Sequence, residues 1–216
     1  MDRRQFLFGA AASAPLWGAA SALAAQPGAR DAELRALLDT FWNADLDAAP
    51  EMATSRGLDV GPRAAQRSQL NDVSRAGRNA WIAARKERLT ALDRIAPEQL
   101  SPEARIDHQV ATYAYRRAAE GGVKYDFGEG QAGFGYAPYS PYVVSQLTGA
   151  YQTIPDFLDS RHPMRTVEDA EAYLTRLQAY AVALDGNTEA LAIDVVKGVL
   201  APDFALDAGL AQLRRQ

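Results

Sequence analysis

The sequence contains no cysteine. That excludes a disulfide framework, an iron–sulfur cluster and a thiol nucleophile, and it fits an oxidising compartment and the cytosol equally well. Histidine is almost as scarce, with His108 and His162 as its two occurrences. A zinc site needs three or four N, S or O ligands, and no His-Glu-x-x-His run is present. The Gly-x-Ser-x-Gly elbow of serine hydrolases is also missing. Formal net charge is −4, with no Lys/Arg cluster, so nucleic acid is not an expected partner. There is no internal repeat and no low-complexity tract.

What is present is ordinary globular material. Of 216 residues, 48% are hydrophobic and 23% charged, which argues against disorder and against a multi-span membrane protein. The most specific signal is at the N-terminus. Arg3 and Arg4, followed by Gln5-Phe6-Leu7, match a twin-arginine export signal. A modestly apolar run rich in Ala and Gly extends from Phe6 to Ala25, and Ala22 and Ala24 form an A-x-A cleavage site. Residues 1–25 therefore read as a removable signal peptide and 26–216 as one helical domain. Pro15, Gly9 and Gly18 weaken the run as a permanent anchor, so no stable membrane span is expected after cleavage. Removing Asp2, Arg3 and Arg4 takes away one acid and two bases, leaving 21 bases against 26 acids. The expected location is periplasmic or secreted. The twin-arginine machinery, which moves already folded cargo, is an expected partner.

The mature sequence predicts a mainly α, helical bundle-like domain. Asp31 caps a helix carrying Leu34, Leu37, Leu38, Phe41, Trp42 and Leu46 on one face, and Pro50 interrupts it. Residues 58–70 are marked by Gly and Pro and read as irregular. A second helix spans about Asn71 to Ile95, with Ile82, Leu89 and Leu92 inside and Arg85, Lys86 and Arg88 on a solvated face. Ser101-Pro102 starts a third, with Ile106, Val110 and Tyr113 as its apolar stripe, and Gly121-Gly122 stops it. Ser140-Pro141 starts a short helix holding Val143, Val144 and Leu147, and Ile154-Pro155 starts another. Thr166 caps the strongest helix, whose seam runs through Val167, Ala170, Leu174, Leu177, Ala181 and Leu184. Asp185-Gly186 bends or ends it. Leu191, Val195 and Val199 continue a similar face, Pro202 closes it, and a last helix begins near Leu206.

Residues 123–142 break the helical pattern. Six glycines fall between 121 and 135, interleaved with Tyr125, Phe127, Phe134, Tyr136, Tyr139 and Tyr142. Alternation at Val123, Tyr125 and Phe127 predicts a short strand or hairpin near 123–136. The remainder is one long Gly/Tyr-rich loop, and loops of that length are often functional. Tyr136, Tyr139, Tyr142 and Tyr151 are the substrate-cleft candidates, because tyrosine offers an apolar body with a polar tip. The Gly128-Glu-Gly130-Gln-Ala-Gly133 run matches a dinucleotide fingerprint, but Gly135, Pro138 and Pro141 forbid the helix that fingerprint needs. It reads as loop. Glu168-Asp169 reads as a favourable pair of charges in a helix first turn, and His162 as a helix end near the negative pole. No catalytic, cofactor-binding or metal-ligating residue is assigned.

Four stretches carry a family resemblance. They are Pro141 to Pro163, the Val167 to Leu184 helix with Glu168-Asp-Ala-Glu-Ala-Tyr-Leu174, the Phe41-Trp42 helix followed by Pro50 to Leu58, and Leu100 to Asp107. Together they resemble the N-terminal part of the bacterial family called domain of unknown function 885. The resemblance implies a mostly helical, zincin-like protein longer than this chain, with metallopeptidase activity. It also implies zinc as cofactor and a peptide or small molecule as substrate. The implied metal motif is a His-Glu pair with a later Gly-His, in the C-terminal half. This sequence has no His-Glu pair, so no ligand or general base transfers to it. The expectation is an exported N-terminal helical region without catalysis of its own. The alternative is a self-contained helical binding or scaffold module of the periplasm.

Overall fold

The computed structural model describes residues 28–128 and 140–215. Among them are seven α-helices and no β-strand. The helices are α1 (Asp31–Ala48), α2 (Pro50–Ser55), α3 (Arg75–Leu92), α4 (Pro102–Lys124), α5 (Ala150–Ser160), α6 (Val167–Val196) and α7 (Asp203–Leu213). A 3-10 segment, Gly61–Ser68, follows α2. No helix among the described residues is long and apolar enough to cross a membrane.

Local chemistry sets the helix starts. Asp31 lies in the first turn of α1 rather than at its cap. Its carboxylate accepts the Ser101 N–H at 2.9 Å and so ties the start of α1 to the start of α4. The Ser101 hydroxyl accepts the Ala104 N–H, with Pro102 in the first turn. Thr166 and Asp169 form a reciprocal capping box on α6, satisfying two otherwise orphaned N–H groups. Each of these starts follows the residue types seen in the sequence.

Two apolar clusters organise the packing. Leu34, Phe41, Leu92, Ile95 and Leu100 join α1 to the end of α3 and the entry of α4. Ala150, Ile154, Phe157, Leu158 and Ala183 join α5 to α6. α3 packs most extensively on α4. Gly122 makes that contact close, because a Cβ there would stand 2.6 Å from Ile82 Cγ1. Gly122 therefore serves packing, and the Gly121-Gly122 pair does not stop the helix, which runs on to Lys124. Val123 is helical for the same reason, and the expected strand at 123–128 is absent. The rest of that expectation, 129–136, lies outside the described residues.

Three more expectations are corrected. Residues 140–149 form no helix; bends and a Ser145–Thr148 bridge replace it. α5 begins at Ala150, so Pro155 lies inside it. An interior proline leaves the carbonyl four residues back without its donor. Here that is Tyr151 O, and the Tyr180 hydroxyl approaches it at 3.4 Å. α6 runs unbroken through Asp185-Gly186.

The largest correction concerns which faces are inside. Arg85 and Arg88 are only 7% and 6% exposed. Both donate to Asp45 Oδ1 of α1, at 2.9 and 2.6 Å. The apolar stripe of α4, Ile106, Val110 and Tyr113, is exposed instead. Of the expected α6 seam, Leu184 packs against the α5–α6 cluster, but the N-terminal part is inverted in the same sense. Val167 is 70% and Leu174 60% exposed, whereas Asp169, Arg176, Asn187 and Asp194 are buried.

Candidate functional site

The buried polar residues of α6 recur at intervals of seven and eleven, which places them on one helical face. That face meets chain segments whose backbone groups lack partners of their own. Asn187 Oδ1 accepts the Ala150 N–H at 2.6 Å, at the first turn of α5. Asp194 Oδ2 accepts the Gly128 N–H at 2.7 Å. Asp169 Oδ2 accepts the N–H groups of Arg165 and Thr166. Helix ends and irregular segments carry orphan donors and acceptors that must be met when buried. Polar side chains on α6 meet them, and leucines in those positions would not.

The centre of this face is Arg176, whose relative exposure is 0%. Its Nε donates to Gln69 O at 2.8 Å. Its Nη2 donates to Thr54 Oγ1 at 2.7 Å and to Gln66 O at 3.0 Å. Its Nη1 lies 2.7 Å from His162 Nδ1. Its guanidinium also stacks over the Phe157 ring at 4.8 Å. One side chain thus joins α2, the 61–68 segment, α5 and α6. Burial pushes its pKa down to about 10, with Glu51 and Asp59 opposing that shift by charge.

The hydrogen bonds fix the tautomer of His162. Arginine has donors and no acceptor, so Nδ1 must accept. Nε2 then carries the proton and donates to Asp169 O at 2.9 Å. His162 follows the end of α5 as expected, but both its ring nitrogens bond to α6 instead of lying free at a helix pole. His108 is likewise buried, with Nε2 3.0 Å from Leu92 O.

Beside this cluster lies an open cleft of about 560 Å³, lined by Asp59, Gly61 and Arg67 on one side and Glu168, Glu171 and Thr175 of α6 on the other. At its floor Arg67 reaches Asp59 at 3.3 Å and Asp169 at 3.2 Å. Asp169 is held below the usual carboxylate range, chiefly by the Arg165 N–H and further by the Thr166 N–H and Arg67. Glu168 is lowered too, by its backbone N–H and the Thr166 side chain. Both follow from the capped first turn of α6, where the sequence placed them.

Asp126, Gly128 and Asp194 form a second polar centre. Gly128 has φ +71°, and a Cβ there would meet Ser140 O at 2.2 Å. Asp194 clamps it, with Arg75 donating to the other carboxylate oxygen at 3.3 Å. Asp126, lowered chiefly by Lys197, is also paired with Arg75 and Arg78.

The substrate-cleft tyrosines divide. Tyr136 and Tyr139 lie outside the described residues, as do Arg3 and Arg4 of the export signal. Tyr142 is half-buried, and its carbonyl accepts the hydroxyls of Ser140 and Thr148. Tyr151 is buried, with its hydroxyl 2.6 Å from Ser145 O and 2.7 Å from the Gln212 side chain. The structure does not bring Tyr142 or Tyr151 to the cleft over Arg67. Sequence reading missed Arg176, Thr54, Asp59 and Arg67. The available signal was the spacing of polar residues along α6.

The matching family is described as a bacterial protein of unknown function, DUF885, and the match covers residues 50–216. The chain belongs to this family. No curated protein and no solved structure matched it. The described residues of this DUF885 chain do not fit a zinc ion. They contain no group of three or more His, Asp or Glu side chains that could hold a metal. Both ring nitrogens of His162 are already committed.

Proposed function

We propose that this chain is the exported helical region of a zinc-dependent, peptidase-like protein, and that it supplies packing and cleft walls rather than metal ligands. The supporting observation is the inversion of α6. Its inner face is satisfied by polar bonds, and its seam of Val167, Leu174 and Leu177 faces outward, as do Ile106, Val110 and Tyr113 of α4. Apolar seams on two long helices suit a surface that another folded region covers. The metal-bearing region of the complete protein is the proposed cover. Tyr136, Tyr139 and Tyr142 remain the proposed substrate-facing rings, in the stretch that follows Gly128, whose N–H Asp194 accepts. Peptides are the proposed substrate class.

Purified residues 26–216 should bind a hydrophobic dye, retain no stoichiometric zinc and hydrolyse no peptide. Adding the metal-bearing region of a longer family member should suppress the dye signal. Hydrolysis together with stoichiometric metal in the isolated polypeptide would overturn the proposal. The alternative, a self-contained periplasmic binding or scaffold module, is favoured by the cleft over Arg67. That reading expects a cooperative monomeric unfolding transition and no dye binding.

A further inference from the structure

The geometry points to a pH-sensitive latch at His162 and Arg176 that controls how tightly the 61–68 segment holds the cleft wall. His162 Nδ1 is 2.7 Å from Arg176 Nη1, and a guanidinium can only donate. The contact therefore exists only while Nδ1 is unprotonated. Imidazole is the side chain whose charge ordinarily changes between about pH 5 and 8. A proton on Nδ1 removes an acceptor from Arg176 and sets an imidazolium against a guanidinium that is wholly buried.

The charged and titratable surroundings do not offer an easy escape. Glu51 of α2, Asp59 and Arg67 act on Arg176 by charge. Asp169 and Tyr173 of α6 approach His162 itself: Asp169 through its peptide oxygen, Tyr173 through an edge-on ring contact at 5.5 Å. The Asp169 carboxylate is already engaged by Arg67 and by the N–H groups of Arg165 and Thr166. From α5, Phe157 stacks on the guanidinium and accepts the His162 N–H.

The same guanidinium holds Thr54, Gln66 O and Gln69 O. Displacing it frees the Gln66 and Gln69 carbonyls from α6 and leaves the Arg67–Asp169 pair to hold the 61–68 segment there. Those two elements are the walls of the cleft, so acidification loosens it. The inference is independent of the export and peptidase proposal, because it uses only contacts within the described residues.

NMR of isotope-labelled imidazoles in the mature chain tests it. His162→Asn assigns the signals by loss, since only His108 remains. Wild-type His162 should carry its proton on Nε2 near about pH 7.5, and the acidification that places a proton on Nδ1 should cost about tenfold of hydrogen-exchange protection over residues 63–69 while α3 keeps its own. His162→Asn can accept from Arg176 through Oδ1 and cannot take up a proton, so its protection should not vary with pH. His162→Gln replaces it if that variant does not fold. A proton resident on Nδ1 in the wild type overturns the latch. So does protection over 63–69 that ignores pH, or that falls equally in the variant.

Discussion

Two arginine knots hold this molecule together, and they solve the problem of a buried cation differently. In the first, Arg85 and Arg88 of α3 share Asp45 Oδ1 of α1. Aromatic rings surround them, with Arg85 over Trp81 at 4.4 Å and Arg88 over Phe41 at 5.4 Å. Burial lowers the Arg85 pKa and raises that of Tyr115, while Asp45 counters the former by charge. In the second, Arg176 has no carboxylate within ion-pair distance among the described residues. It is held by two backbone carbonyls, a hydroxyl and a neutral imidazole. The first knot relies on charge and joins two helices. The second relies on the directions of several neutral acceptors and joins four segments through their polar groups.

That contrast is broken most severely at the anion. Asp45→Ala leaves two guanidiniums in an aromatic pocket without their carboxylate. Removing one partner of a buried ion pair typically costs about 3–5 kcal/mol, and here two cations lose the same partner. Urea denaturation should place Asp45→Ala near the upper part of that range. A loss of less than about 1 kcal/mol would mean that the rings and not the carboxylate hold the arginines.

The second knot is tested by keeping the charge and changing the geometry. Arg176→Lys retains a cation but has one nitrogen where the guanidinium uses three, so it cannot reach Gln69 O, Thr54, Gln66 O and His162 together. Acceptors left buried without a donor each cost on the order of 1 kcal/mol or more, so a loss of about 2 kcal/mol or more is expected for Arg176→Lys. Arg88→Lys should cost less, because a point charge still satisfies a carboxylate. If the two lysine variants lose equal stability, the distinction between the knots fails.

The sequence made the helix starts visible because they depend on neighbours in the chain. Ser101-Pro102 and Thr166 with Asp169 act within one turn, and the structure uses them as such. Faces were less legible, since periodicity shows that a stripe exists and not which way it turns. Arg85 and Arg88 read as solvated because nothing local reveals Asp45, forty and forty-three residues away. Val167, Leu174 and Leu177 read as interior because apolar seams usually are. The polar line through Asp169, Arg176, Asn187 and Asp194 has an equally regular spacing. Its role becomes readable only when Gly128, Ala150 and the 66–69 carbonyls are known to lie opposite. The family resemblance was carried partly by the α6 sequence itself, and the family match spans it. The Arg176 cluster was harder to see, because its members are scattered over three of the stretches that carry the resemblance, with Thr54 in 50–58, Phe157 and His162 in 141–163 and Arg176 in α6.

The smallest expected effect separates the two faces of α6. Leu174 is 60% exposed, so in the isolated chain its side chain is already largely hydrated. Replacing it with Gln removes little burial, and surface changes of this kind usually fall within about 0.5 kcal/mol. Glutamine is also a good helix former, so propensity contributes little. Stability by urea should therefore be nearly unchanged, while hydrophobic-dye binding should drop, and drop further in Leu174→Gln/Leu177→Gln. A residue facing outward merely by chance would leave the dye signal as it was. A residue packed inside would lower stability by the several kcal/mol seen for core leucines. Only a seam that is uncovered and contiguous lowers dye binding without weakening the fold, which is the behaviour the outward face of α6 should show.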